Sequence, residues 1–177
     1  MAWDELFADL ESSAEAWEQR ERDAEILERT RSAWSRVRWA DRCVGSSVAL
    51  RVDGLGVVDG EVDTVARTWL LLRSAGAVDW VVALDAVLGV VGAPASPVAR
   101  ARGGEVAARM GWTNAWTVLT RDRAAVQVVR RDGSRVEGLP VRVGEDFVEL
   151  RSEDGRARPE LVPFGAVAAV RCPRLHA

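Results

Sequence analysis

Apolar residues recur along this chain with two different periods. Near the N-terminus they fall at Trp3, Leu6, Phe7, Leu10, Ala14 and Trp17, three and four residues apart. That spacing draws one stripe along a helix, and Asp4, Glu5, Asp9, Glu11, Glu15 and Glu18 fill the opposite face. The stripe fades through the charged run from Glu18 to Glu25 and resumes at Ile26, Leu27, Thr30, Trp34 and Val37. One long helix, or two helices with a bend, is expected, ending near Gly45 and Ser46. Beyond that point the period drops to two. Val48, Leu50 and Val52 alternate before Asp53-Gly54, a hairpin signal, and Val126 and Val128 alternate before Asp132-Gly133.

The strand-like stretches are written twice. VALRVDG, VVDGEV, TWLLLRS and WVVALDAVLGVV in the first copy answer to VQVVRRDG, RVEGLPV, DFVELRS and ELVPFGAVAAV in the second. Gly60 falls on Gly138, Trp69 on Phe147, Leu72 on Leu150 and Arg73 on Arg151 at an offset of 78, which slips to 80 where Leu84 falls on Phe164 and Val90 on Val170. Self-similarity at a fixed spacing points to two modules of one kind. Gly60 and Gly138 sit inside a strand, where a missing side chain permits a sharp bend or a close backbone approach. Bent second strands are what small barrels need to close. Ala33-Trp34-Ser35 and Ala115-Trp116-Thr117 give each copy a helical lead-in, with Trp34 and Trp116 as packing anchors. The expected organisation is therefore an acidic amphipathic helical leader over 1–32, a first repeat over 33–93, a Pro/Gly/Arg-rich linker with a short helix over 94–114, and a second repeat over 115–174.

Composition changes this picture in three ways. The net charge of -3 hides an asymmetry: residues 1–30 hold ten acids against three arginines, whereas the remainder is mildly basic. All 24 basic residues are arginine, and the chain has no lysine and no tyrosine. Cys43 and Cys172 lie far apart with no C-x-x-C spacing, which suits reduced thiols in a cytoplasmic protein, although a disulfide between them stays open. The N-terminus begins with acids and tryptophan, so no signal peptide is expected. The most apolar window, Val78 to Ala95, contains Asp79, Asp85 and Pro94 and is too interrupted to span a bilayer.

The succession of a helix, V-x-L-x-x-D-G, a strand with an internal glycine, an aromatic opening an apolar strand, and a terminal VPFGAVAAV resembles the Sm-like fold, including the bacterial Hfq-type RNA chaperone. VGEDFVELRS resembles the stretch in which an aromatic of that family, here Phe147, stacks on a base, and Trp69 would be its counterpart. VVALDAVLGVV resembles the second Sm motif. The resemblance implies a mainly β fold with helices (α+β): two tandem Sm-like small β-barrels, each preceded by a helix, plus the N-terminal acidic helix. It also departs from the family. Leu84-Asp85 and Phe164-Gly165 stand where Hfq-type proteins carry a lysine and a histidine that meet RNA. The opening WDELFADLE resembles the start of small uncharacterised proteins of high-GC Gram-positive bacteria.

Catalytic chemistry finds no foothold in the sequence. The one histidine is His176, so histidine triads and multi-histidine metal sites are not expected, nor is a cofactor or a metal. Gly54-Leu55-Gly56 with Gly60 misses the dinucleotide fingerprint and lies between strands. The expected function is a non-enzymatic interaction or scaffold module, oligomerising or docking a protein partner, with Trp3, Leu6, Phe7, Leu10 and Trp17 as the docking stripe. That stripe could equally cover the chain's own β modules. The alternative is RNA or single-stranded nucleic-acid binding, with Trp69 and Phe147 stacking bases while Arg67, Arg73, Arg130, Arg131, Arg142 and Arg151 meet phosphates. Against it, both aromatics could simply fill the core.

Overall fold

A computed structural model describes residues 37–95, 104–152 and 157–174, together with 17, 19, 22, 25, 28 and 35. The chain divides into an N-terminal unit, Met1–Arg38, and a body, Trp39–Ala177. In the first unit Trp17, Gln19, Arg22, Glu25 and Glu28 are helical and Trp17 is exposed. Trp3, Leu6, Phe7 and Leu10 lie outside the described residues.

The body opens with a short helix α1 (Trp39–Cys43), which buries Ala40 and Cys43. Five strands follow: β1 (Ser47–Val52), β2 (Gly56–Val65), β3 (Trp69–Arg73), β4 (Val78–Ala83) and, after a 3-10 turn at Leu84–Ala86, β5 (Val87–Val91). Two helices come next, α2 (Gly104–Ala107) and α3 (Trp112–Arg121). Then come β6 (Val126–Arg130), β7 (Arg135–Val143), β8 (Phe147–Arg151), β9 (Glu160–Pro163), a 3-10 turn at Phe164–Ala166, and β10 (Val167–Pro173).

All neighbouring strands are antiparallel and lie in one sheet, in the order β5-β1-β2-β3-β4-β10-β6-β7-β8-β9. The two closed barrels, each preceded by a helix, that the sequence leads one to expect are not formed. A single open ten-stranded sheet takes their place, because β10 pairs with β4 on one side and β6 on the other. The alternation of side chains dictates which segments become strands. Which neighbour the last strand of each group joins is decided by backbone bonds, and those carry no side-chain signature.

Close backbone approach sets the bends. Gly60 on β2 stands opposite Val48, and Gly138 on β7 stands opposite Val126. A Cβ at Gly60 would lie 2.4 Å from the Arg73 carbonyl oxygen, and one at Gly138 would lie 2.5 Å from that of Arg151. Register shifts follow between Val62 and Thr64 and between Pro140 and Arg142. The second group curls far enough for Glu160 of β9 to pair with Arg130 of β6.

The core runs continuously across the sheet. Leu50, Val62, Leu70, Leu72, Val82, Val128, Val148 and Val162 are fully buried, and so is every residue from Val167 to Val170. Strand residues buried in succession mean that both faces are covered at the middle of the sheet. On one face the cover is α3, which buries Trp112, Trp116 and Leu119. Its first turn is held by the Asn114 Oδ1, which accepts from the Gly111 N–H at 3.0 Å. Trp112 stacks on Trp116 with centroids 6.3 Å apart and tilts against Phe164 at 6.4 Å.

The hairpin turn between β1 and β2 touches the turn after β6. Gly54 has φ +68°, and a Cβ there would fall 2.2 Å from the Arg130 carbonyl oxygen. We expect Gly54→Ala to cost roughly 2–4 kcal/mol, summing left-handed strain and a displaced backbone. Gly45→Ala, with φ +72° and nothing within 4 Å, should cost only about 1 kcal/mol. Urea unfolding of both variants checks this, and equal losses would show that the turn-to-turn contact is not tight.

Candidate functional site

Three features of the body offer chemistry: the seam between β4 and β10, a cavity beneath α3, and the two outer edges of the sheet. At the seam, Asp79 of β4 is only 4% exposed and is the one buried charged residue among those described. It accepts from Arg174 Nε at 3.1 Å, and Arg73 Nη1 stands 3.7 Å away. Arg174 also donates through Nη2 to the Ser74 carbonyl at 2.8 Å. A buried carboxylate needs such partners, since its desolvation is otherwise uncompensated. At the other end of the seam Arg131 grips the first group of strands. Its Nη2 lies 2.7 Å from Asp85 Oδ1, its Nη1 donates to the Asp85 carbonyl at 3.2 Å and its Nε donates to the Gly165 carbonyl at 2.9 Å.

The cavity beneath α3 measures about 160 Å³ and is lined mainly by Trp69, Leu71, Val81, Met110, Val118 and Leu119. Arg73, Asp79 and Cys172 close one end of it. Cys172 and Cys43 are free thiols and both are buried. Burial, together with the nearby Asp79 carboxylate, pushes the Cys172 thiol up to about 11. Cys43 is raised by burial as well, partly offset by Arg42. Thiols held protonated are poor nucleophiles and poor metal ligands. Among the described residues no group of three or more His, Cys, Asp or Glu side chains could hold a metal ion.

The residues nominated from sequence scatter over this framework. Trp69 is buried and donates its Nε1–H to the Gly111 carbonyl at 2.9 Å, so it pins the start of α3 to β3. Phe147 is half-buried and lies over Gly144, whose missing side chain makes room for the ring. Arg73 donates to Asp63 at 2.8 Å, a bond that raises its already high pKa. Arg130 pairs with Glu160, Arg131 with Asp85, and Arg142 with Glu149 at 3.1 Å. Arg67 and Arg151 have no carboxylate partner among the described residues. Arg67 borders a cleft of about 260 Å³ with Thr68, Leu84, Asp85, Trp112 and Phe164. Trp69, Arg73, Arg130, Arg131 and Arg142 are thus engaged within the chain.

Edge-strand pairing is expected of small β modules, but the sequence does not say which strands lie outermost. β5 ends the sheet on one side and β9 on the other. On β5, Leu88 is 65% and Val91 74% exposed, and on β9 Leu161 is 51% exposed. An exposed edge presents unpaired N–H and C=O groups, which a further strand can bond. The sequence signal for β5 is the uncharged apolar run Val87-Leu88-Gly89-Val90-Val91. Among the described residues no helix is long and apolar enough to cross a membrane. No family model matches the chain, and no curated protein matches it.

A pH prediction follows from the thiols. With no lysine and no tyrosine, cysteines are the only side chains whose ordinary titration falls between about pH 9 and 11. Cys172 keeps its proton to about pH 11 in the folded state, against 9.0 ordinarily. The stability this gives is fully present below about pH 9 and is lost as pH rises towards 11, by about 2–3 kcal/mol in all. Chemical denaturation across that window should show the fall, and Cys172→Ala should flatten it. A flat wild-type profile, or an unchanged slope in the variant, would contradict the assignment.

Proposed function

We propose that the protein is a non-enzymatic interaction module that binds a protein partner by adding one of its strands to an open edge of the sheet. The observation that carries this reading is the outer edge of β5, where Leu88 and Val91 are exposed and which no other strand among the described residues pairs. Main-chain bonds would supply affinity and the two apolar side chains the selectivity. The seam lends support from within the chain, since there β10 is added to the edge of β4 in the same antiparallel manner. Buried reduced thiols suit the cytoplasmic setting that we infer for it.

The nucleic-acid reading has less support. Trp69 spends its indole N–H on Gly111 and offers no open ring face. Arg73, Arg130, Arg131 and Arg142 are already paired with carboxylates, so a phosphate would have to displace a partner from each. Capture from a native lysate with and without nuclease separates the two readings. We expect protein to be retained after nuclease treatment and lost when Leu88 and Val91 are both replaced by lysine. Recovery of nucleic acid alone, weakening steeply with salt, would overturn the proposal.

A further inference from the structure

Opposite partners in an antiparallel pair share a face, as do residues two apart on one strand. Arg73 stands opposite Asp79 and Leu71 opposite Val81, while Cys172 of β10 flanks Asp79 on its other side. Those side chains therefore rise from one face of the sheet and floor the cavity beneath α3, which roofs it with Ala115, Val118 and Leu119. Asp79, Val81, Cys172 and Leu119 are buried, whereas Asn114, Val118 and Pro173 in the same lining are exposed. The cavity is thus closed at the sheet and reaches solvent past the helix.

The polar demand of this cavity lies at its closed end. Asp79 Oδ1 accepts from Arg174 Nε at 3.1 Å, but Oδ2 accepts no hydrogen bond from any described residue, and the Arg73 Nη1 that faces it stands 3.7 Å away. Arg73 is itself committed to Asp63 through Nε at 2.8 Å. A carboxylate oxygen in so buried a side chain is costly unless a donor reaches it. Arg73 and Asp79 are the only charged residues in the lining and they balance, so a charged ligand would leave one charge uncompensated. The donor that suits Asp79 is therefore neutral.

We infer that this cavity binds a small neutral molecule with an apolar body of about six carbons and one hydroxyl, which donates to Asp79 Oδ2. A cavity of about 150 Å³ holds a benzene ring, and this one measures about 160 Å³. Leu71, Val81, Met110 and Leu119 take the apolar body. The hydroxyl oxygen can in turn accept from Arg73 Nη1, so that one atom bridges the gap between the guanidinium and the carboxylate. An ammonium could only donate, and a carboxylate could only accept. The site lies in the body of the sheet, away from the β5 edge, and does not require a strand to be added there.

Calorimetric titration of the full chain with phenol, toluene and benzoate tests this. Phenol should bind saturably, one per chain. Toluene, which fills the same space and cannot donate, should bind at least about tenfold more weakly, and benzoate should not bind. With methyl-labelled methionine, phenol should shift the signal of Met110, which lines the cavity; the chain has one other methionine, Met1. Ala115→Leu, which fills the cavity from the helix, should keep the far-ultraviolet spectrum and abolish phenol binding. No saturable binding by about 10 mM phenol would overturn the inference. So would toluene or benzoate binding as tightly as phenol, or phenol binding that leaves the Met110 signal in place or survives in a folded Ala115→Leu. Should that variant unfold, the toluene comparison and the Met110 signal decide.

Discussion

The backbone ladder between β4 and β10 is the constraint on which the body depends. It runs from Ala169 opposite Val82 to Pro173 opposite Val78 and turns two groups of five strands into one sheet. At its inner end Ala169, Val170 and Val82 are fully buried, so the hydrogen bonds there are shielded from competing water. The charged contacts at its two ends add registry. Asp79 finds Arg174 and Asp85 finds Arg131 across the two groups of strands, contacts that suit this register, while Arg73 approaches Asp79 from β3 within the first group. A one-residue slip would strand a buried carboxylate and turn the valines of β10 to the wrong face.

Helix α3 works with this ladder and not independently of it. Its beginning is tied to the first group of strands through Trp69 and through the Arg67 N–H, which donates to the Met110 carbonyl at 3.0 Å. Its Trp112 leans on Phe164, in the turn just before β10. One element thus reaches from the group before it in sequence to the group after it. The small cavity beneath it marks where this bridging leaves the packing incomplete. Trp116 carries a further cost, since its indole N–H is buried with no partner among the described residues.

Much of the local structure could be read from residues. The alternation of Val48, Leu50 and Val52 marks β1, and Asp53-Gly54 marks its turn. Gly60 and Gly138 stand where a strand crosses too close to its neighbour for any side chain. Strand closure could not be read this way. The run Val167-Ala-Ala-Val170 says that a strand is buried on both faces, but it is silent on whether the second cover comes from its own group or another. The candidate site was legible only in part. A tryptophan at the start of a strand reads alike whether it stacks on a ligand or bonds to a helix, and Trp69 does the second. An arginine in a strand shows no sign of whether a carboxylate will stand across from it, as Glu149 does for Arg142.

The central place of β10 bears on how the protein is made. A ribosome delivers residues 167–173 after the other nine strands, yet this segment must settle between two of them. Until it emerges, the nascent chain carries β4 and β6 with one flank each unsatisfied, and hydrophobic surface that later becomes the middle of the sheet stays open to water. Contacts so distant along the polypeptide form slowly, and the waiting interval is when non-native association competes with completion. The nascent protein is therefore most vulnerable in the moments before β10 arrives.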